Sequence, residues 1–166
     1  MADIRVILLV EDLEDDILLV TRAFKKVGLT NPMQVVRDGE EAIDYLRGEG
    51  KYANRDEYPL PSLILLDLKL PKIDGFEVLT WVRAHPTLKT IPVLVLTSSD
   101  HIRDVNRAYE LGANSFLVKQ LDFDELSDAA AVIKDYWLRL AETPKSTRTS
   151  REGERDGIGA ETRAKG

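Results

Sequence analysis

The chain has no cysteine, which excludes disulfides and thiolate metal sites. Its only two histidines, His85 and His101, stand at no ligand-like spacing to each other or to the acids. His85 reads as a helix-end residue beside Pro86, and His101 as a solvated side chain. No apolar run approaches the roughly 18 residues a membrane-spanning helix needs. The opening MADIRVILLVED lacks the basic n-region and small-residue cleavage site of a signal peptide. Basic charge is also scarce. Residues 143–166 hold six Lys/Arg and four Asp/Glu, so the other 142 carry 17 basic and 25 acidic side chains, a net of −8. An acidic body argues against a nucleic-acid partner, which normally meets a basic face. The expectation is a cytoplasmic protein with neither membrane nor nucleic acid among its partners.

What is present is enough for one domain with a real core: 166 residues, 43% of them hydrophobic. Four short apolar segments each close on a polar group. VILLVED ends on Glu11 and Asp12, LILLDL on Asp67, VLVLTS on Thr97 and SFLVK on Lys119. Runs of this length separated by helix-like stretches predict buried strands of a parallel sheet. The strands are expected at Ile4–Val10, Pro32–Val36, Leu63–Asp67, Pro92–Thr97 and Ser115–Val118. Between them helices are expected from Glu14 to about Val27, from Asp38-Gly39 to near Arg47, from Asp74 to His85-Pro86 and over Ile102–Leu111. A last helix is expected from Asp122 or Phe123 to about Leu140. Residues 48–61 read as a polar loop. Residues 1–142 form the expected domain, and 143–166, poor in large apolar residues, a disordered tail. No second globular domain is expected after residue 142.

Parallel strands deliver their C-terminal ends to one edge, where open α/β sheets place their ligand sites. Glu11, Asp12, Asp67, Thr97 and Lys119 are therefore expected to meet there. Singly, each has a plainer reading. Glu11-Asp12 would serve as a helix cap, Asp67 and Thr97 as turn residues, and Lys119 as a surface lysine. Their convergence is what favours a site.

Over residues 4 to about 140 the chain resembles the receiver domain of two-component response regulators. The resemblance rests on Glu11-Asp12, on Asp67 in LILLDLKLPKIDG, on Thr97 in VLVLTSS, and on Phe116 and Lys119 in LGANSFLVK. It implies a doubly wound, flavodoxin-like α/β fold, a five-stranded parallel sheet in the order 2-1-3-4-5 with five helices. The loop before the third strand and the DYWLRL ending resemble small single-domain regulators of bacterial phytochrome-type histidine kinases.

Three carboxylates within about 5 Å repel by roughly 3 kcal/mol per pair at an effective dielectric near 20. A hard divalent cation removes the conflict, and oxygen donors of this kind suit Mg²⁺. The resemblance implies Asp12, Asp67 and the Lys69 carbonyl as direct ligands, with Glu11 acting through water. It also implies Asp67 as phosphoacceptor from a sensor histidine kinase, Lys119 and Thr97 as partners of the phosphoryl group with Ser98 beside it, and Thr97 with Phe116 as the switch. The Lys69 side chain is placed to shield the acyl phosphate.

Such a protein is a signalling phosphoacceptor and not an enzyme in the ordinary sense. Two alternatives remain open: a receiver-like binding module without phosphorylation, and an aspartyl-nucleophile phosphatase. The phosphatase class wants a second acid two residues past the nucleophile, where this chain has Lys69. Most receivers carry proline after the site lysine, whereas this chain has Gln120. A cis bond before a non-proline residue costs roughly 3 kcal/mol, so a trans Lys119–Gln120 bond is expected. On the last helix, Leu126, Ala130, Ile133, Trp137 and Leu140 form an apolar stripe expected in the core. Tyr136 and Trp137 are equally open to a homodimer contact.

Overall fold

The computed structural model describes residues 5–119 and 122–142. Five parallel strands are β1 (Ile7–Val10), β2 (Met33–Val36), β3 (Leu63–Leu66), β4 (Val93–Thr97) and β5 (Ser115–Val118). They lie in the order β2-β1-β3-β4-β5, as the resemblance implies. The helices are α1 (Glu14–Lys26), α2 (Gly39–Arg47), α3 (Gly75–Ala84), α4 (Ile102–Glu110) and α5 (Phe123–Ile133), the last continued by a π-helical segment, Lys134–Leu140.

The apolar runs are continuous because both faces of the sheet are covered. Leu8, Val10, Ile64, Leu66, Val93 and Val95 point to one side, where Ala42 and Leu46 of α2 and Val78, Leu79 and Val82 of α3 close the core. Ile7, Leu9, Leu63, Leu65, Leu94 and Leu96 point to the other, against Ile17, Val20 and Phe24 of α1 and Leu126, Ala130 and Ile133 of α5. Helices α2 and α3 start at capping residues: Asp38 accepts the Glu41 N–H at 2.7 Å, and Asp74 accepts the Glu77 N–H at 2.9 Å.

Three expectations need correction. The first strand begins at Ile7: the Arg5 carbonyl accepts from the Asn31 side chain at 2.9 Å instead of from a neighbouring strand, and its guanidinium donates to the carbonyls of Trp137 and Ala141 at 3.3 and 3.0 Å. Residues 48–61 are more than a polar loop. They hold a 3₁₀ turn, Gly50–Tyr52, and Tyr52 and Tyr58 pack tilted and edge-on against Tyr45 at centroid distances of 4.9 and 6.0 Å. Arg55 fastens this aromatic knot by donating to the carbonyls of Tyr45, Leu46 and Tyr58. Finally, Leu140 does not join the core. The π-helical segment advances the buried face by five residues, from Ile133 to Leu138, so Leu138 is buried and Leu140 is 66% exposed. Trp137 packs against the α1–α5 core, and Tyr136 lies exposed beside it. The Lys119–Gln120 bond and the segment 143–166 lie outside the described residues.

Candidate functional site

Each polar residue that closes an apolar run sits just past, or at, the end of its strand. The parallel ladder carries the chain there: Glu11 N–H donates to Val36 O and Asp67 N–H to Val10 O, both at 3.0 Å. Lys119 N–H donates to Thr97 O at 2.7 Å, which ties the end of β5 to the end of β4. The five expected residues are thus gathered at one edge of the sheet.

One carboxylate oxygen each of Glu11, Asp12 and Asp67 lie within 4.8 Å of one another. Glu11 and Asp67 are buried, and Asp12 is partly exposed. The Lys119 ammonium stands over them at 2.6 Å from Glu11 Oε2 and 3.6 Å from Asp67 Oδ2. Thr97 is fully buried, and its Oγ1 finds no hydrogen-bond partner among the described residues. A buried hydroxyl left unsatisfied costs about 1–3 kcal/mol, so this group calls for a partner, and an oxygen bound at the sheet edge would supply one.

The electrostatics fit the same picture. Burial, with the Asp67 charge adding to it, lifts the Glu11 carboxyl from 4.5 to about 7, against the pull of Lys119. Burial opposes the charge on Lys119, but hydrogen bonds to Asp16 and Glu11 outweigh it and raise the ammonium above its ordinary value. Three carboxylates and one ammonium leave the cluster net negative, and a divalent cation would remove that imbalance.

A pH dependence follows. In the folded, metal-free protein Glu11 keeps its proton up to about pH 7, whereas the unfolded chain loses it near 4.5. The stabilisation from this raised value is complete below pH 4.5 and is lost as pH rises through 7. Binding a cation requires the deprotonated acid, so Mg²⁺ affinity should climb by up to about tenfold per unit below pH 7 and level off above it. Calorimetric titrations of Mg²⁺ between pH 5.5 and 8.5 check this.

The other expected residues occupy the rim. The Lys69 side chain is exposed, and its backbone N–H lies 3.4 Å from Asp67 Oδ1. Ser98 is exposed next to Thr97. Phe116 is half-buried against the core face that holds α2 and α3, and its N–H donates to the Tyr109 hydroxyl at 3.1 Å. His101 precedes α4 without capping it, and His85 accepts from the Thr87 N–H.

Two residues of the site were not foreseen. Asp16 takes a 2.7 Å bond from Lys119. Its acidity alone gave no signal, since acids that open a helix are accounted for by the helix dipole. Its phase did: Asp16 heads the row Val20, Ala23 and Phe24, which is buried. Gly75 is the other. A Cβ there would lie 2.2 Å from the Asp67 carbonyl oxygen, so α3 starts hard against the backbone of Asp67.

A doubly wound sheet with an acidic trio, a lysine and an unpaired hydroxyl at its carboxyl edge defines the receiver class of signalling domains. A profile of the response regulator receiver domain matches residues 7–131, and the chain belongs to that family. It is 43% identical over 142 residues to the probable methanogenesis regulatory protein FilR2 of Methanothrix harundinacea, covering 84% of this chain and 87% of that one. It is 41% identical over 140 residues to response regulator Rcp1 of Synechocystis sp., covering 84% and 93% of the two chains. The Mn(2+)-bound form of Rcp1 superposes with a TM-score of 0.76 at 40% identity, over 85% of this chain and 99% of that one. The phosphorylated cyanobacterial phytochrome response regulator RcpA gives a TM-score of 0.79 at 41% identity, over 86% and 100%. Among the described residues, no helix is long and apolar enough to cross a membrane.

Proposed function

We propose that this protein is a phosphoacceptor that takes a phosphoryl group on Asp67 from a sensor histidine kinase of the phytochrome type, in the cytoplasm and with Mg²⁺. The observation that carries the reading is the convergence of Glu11, Asp12 and Asp67 under the Lys119 ammonium, beside the unpaired Thr97 hydroxyl. The likeness to the cyanobacterial phytochrome response regulator RcpA supports the phytochrome pairing.

In this reading Asp12, Asp67 and the Lys69 carbonyl hold the cation, with Glu11 behind them. When bound, Mg²⁺ supplies positive charge to the phosphoryl oxygens. An oxygen of Asp67 attacks phosphorus as the bond to the histidine nitrogen breaks, and that nitrogen keeps the electron pair. Lys119 neutralises charge on the equatorial oxygens. Thr97 donates its hydroxyl to one of them, with Ser98 alongside. Thr97 moves toward the phosphoryl group and Phe116 swings into the space it leaves, which changes the face of α4, β5 and α5. Phe116 has no hydroxyl, so the change is one of packing alone. Val132, Tyr136 and Leu140 are exposed on the last helix and support a homodimer through it.

Incubation with Mg²⁺ and acetyl phosphate, read by intact mass, tests the proposal. One acid-stable, base-labile phosphate is expected, abolished in Asp67→Asn. Multiple turnover would favour the phosphatase alternative. No reaction, with no binding of beryllofluoride, would favour a receiver that works only by binding.

A further inference from the structure

Lys119 makes two short ion pairs of different kinds. Glu11 Oε2, at 2.6 Å, belongs to the carboxylate cluster, whereas Asp16 Oδ2, at 2.7 Å, does not. Asp16 sits on the first turn of α1, outside the acidic trio, with its side chain 27% exposed. Asp67 Oδ2 is farther from the ammonium, at 3.6 Å. The lysine is therefore held off the acceptor and toward α1.

We propose that Asp16 is a positioning residue that parks Lys119 away from Asp67, and so keeps the carboxylates open to a cation until a phosphoryl group draws the lysine across. This rests on the phosphoacceptor reading above. An ammonium has three donors and no preferred plane, so its position follows whichever carboxylates surround it. With Asp16 present, a cation can take Asp12 and Asp67, with Glu11 behind them, while Lys119 keeps an anionic partner on α1. Without it, the lysine has only Glu11 and Asp67 to turn to, and a cation must displace it. A phosphoryl group offers the lysine a new partner, and Asp16 competes for it. Asp16 therefore favours the cation and opposes the anion, both through Lys119.

Asp16→Asn tests this, with Asp16→Glu, which keeps the carboxylate, as the rescue. Mg²⁺ affinity is measured by calorimetry, and beryllofluoride affinity at saturating Mg²⁺ by tryptophan fluorescence. Asp16→Asn should bind Mg²⁺ about tenfold more weakly, the factor that corresponds to about 1.4 kcal/mol, and beryllofluoride more tightly. Asp16→Glu should stay near the wild type. In a Lys119→Met background, Asp16→Asn should leave Mg²⁺ affinity almost unchanged, because the residue acts through the lysine. Weakening of both ligands by Asp16→Asn would show a merely structural role and overturn the proposal. So would a Mg²⁺ effect of equal size with and without Lys119, which would reduce Asp16 to through-space charge. Either result leaves the phosphoacceptor reading standing. A wild type that binds no beryllofluoride, or binds it equally well as Asp67→Asn, overturns that reading and the role of Asp16 together.

Discussion

Lys119→Met should melt about 10 °C below the wild type at pH 8 in a chelator, and magnesium should restore most of the difference. Lys119 is the cation paired with Glu11, Asp16 and Asp67, and its side chain is only 10% exposed. Removing one partner of a buried ion pair leaves the other charge uncompensated, at a cost of roughly 3 kcal/mol. For a domain of this size that corresponds to about 10 °C. The remaining carboxylates can escape part of the penalty by taking up protons, so the deficit should shrink as pH falls toward 5. Magnesium should bind more tightly than to the wild type, since a competing cation is gone. Phosphoryl transfer should nevertheless fall by at least about a hundredfold, the usual cost of losing a preorganised charge at the transition state. Differential scanning calorimetry with and without Mg²⁺, together with acetyl phosphate labelling rates, checks each part. Unchanged melting in chelator would mean that the ion pairs contribute nothing to the fold.

Gly75→Ala should cost about 1–3 kcal/mol and slow labelling of Asp67 by about a hundredfold. The added Cβ would lie 2.2 Å from the Asp67 carbonyl oxygen, 2.6 Å from Leu68 Cα and 3.0 Å from Asp67 C. These are backbone atoms and cannot swing aside, so the insertion carries the usual penalty of overpacking. The Gly75 N–H also donates to Leu68 O at 2.9 Å, and that bond must stretch as α3 backs away. A shift of about 1 Å in the acceptor is enough for a hundredfold loss in rate. A variant that melts lower but labels at the wild-type rate would mean that the strain is absorbed in α3 rather than at Asp67.

Much of this was legible in the sequence. LILLD and VLVLT show why: in a strand buried on both faces, the first polar residue marks where the sheet stops, and parallel strands stop together. That placed Glu11, Asp12, Asp67, Thr97 and Lys119 on one edge without any knowledge of distances. What was illegible depended on geometry that periodicity does not carry. The five-residue step from Ile133 to Leu138 breaks the helical period, so the expected stripe wrongly ran on to Leu140. Arg55 holds residues 48–61 through carbonyl groups, which have no sequence signature. Asp16 stands among three acids that open α1, and only its phase with the buried row Val20, Ala23 and Phe24 sets it apart. Nothing beside the expected helix start at Asp74 singles out Gly75, whose constraint is the backbone lying against it.

The central claim is that one cup at the sheet edge holds both a cation and a phosphoryl group. Crystals grown with Mn²⁺ and beryllofluoride test it most directly. An anomalous peak between Asp12 and Asp67, beryllium bonded to a carboxylate oxygen of Asp67, and Lys119 and Thr97 turned onto the fluorines are the result expected. Manganese bound elsewhere, or an Asp67 left bare beside an occupied metal, would contradict it.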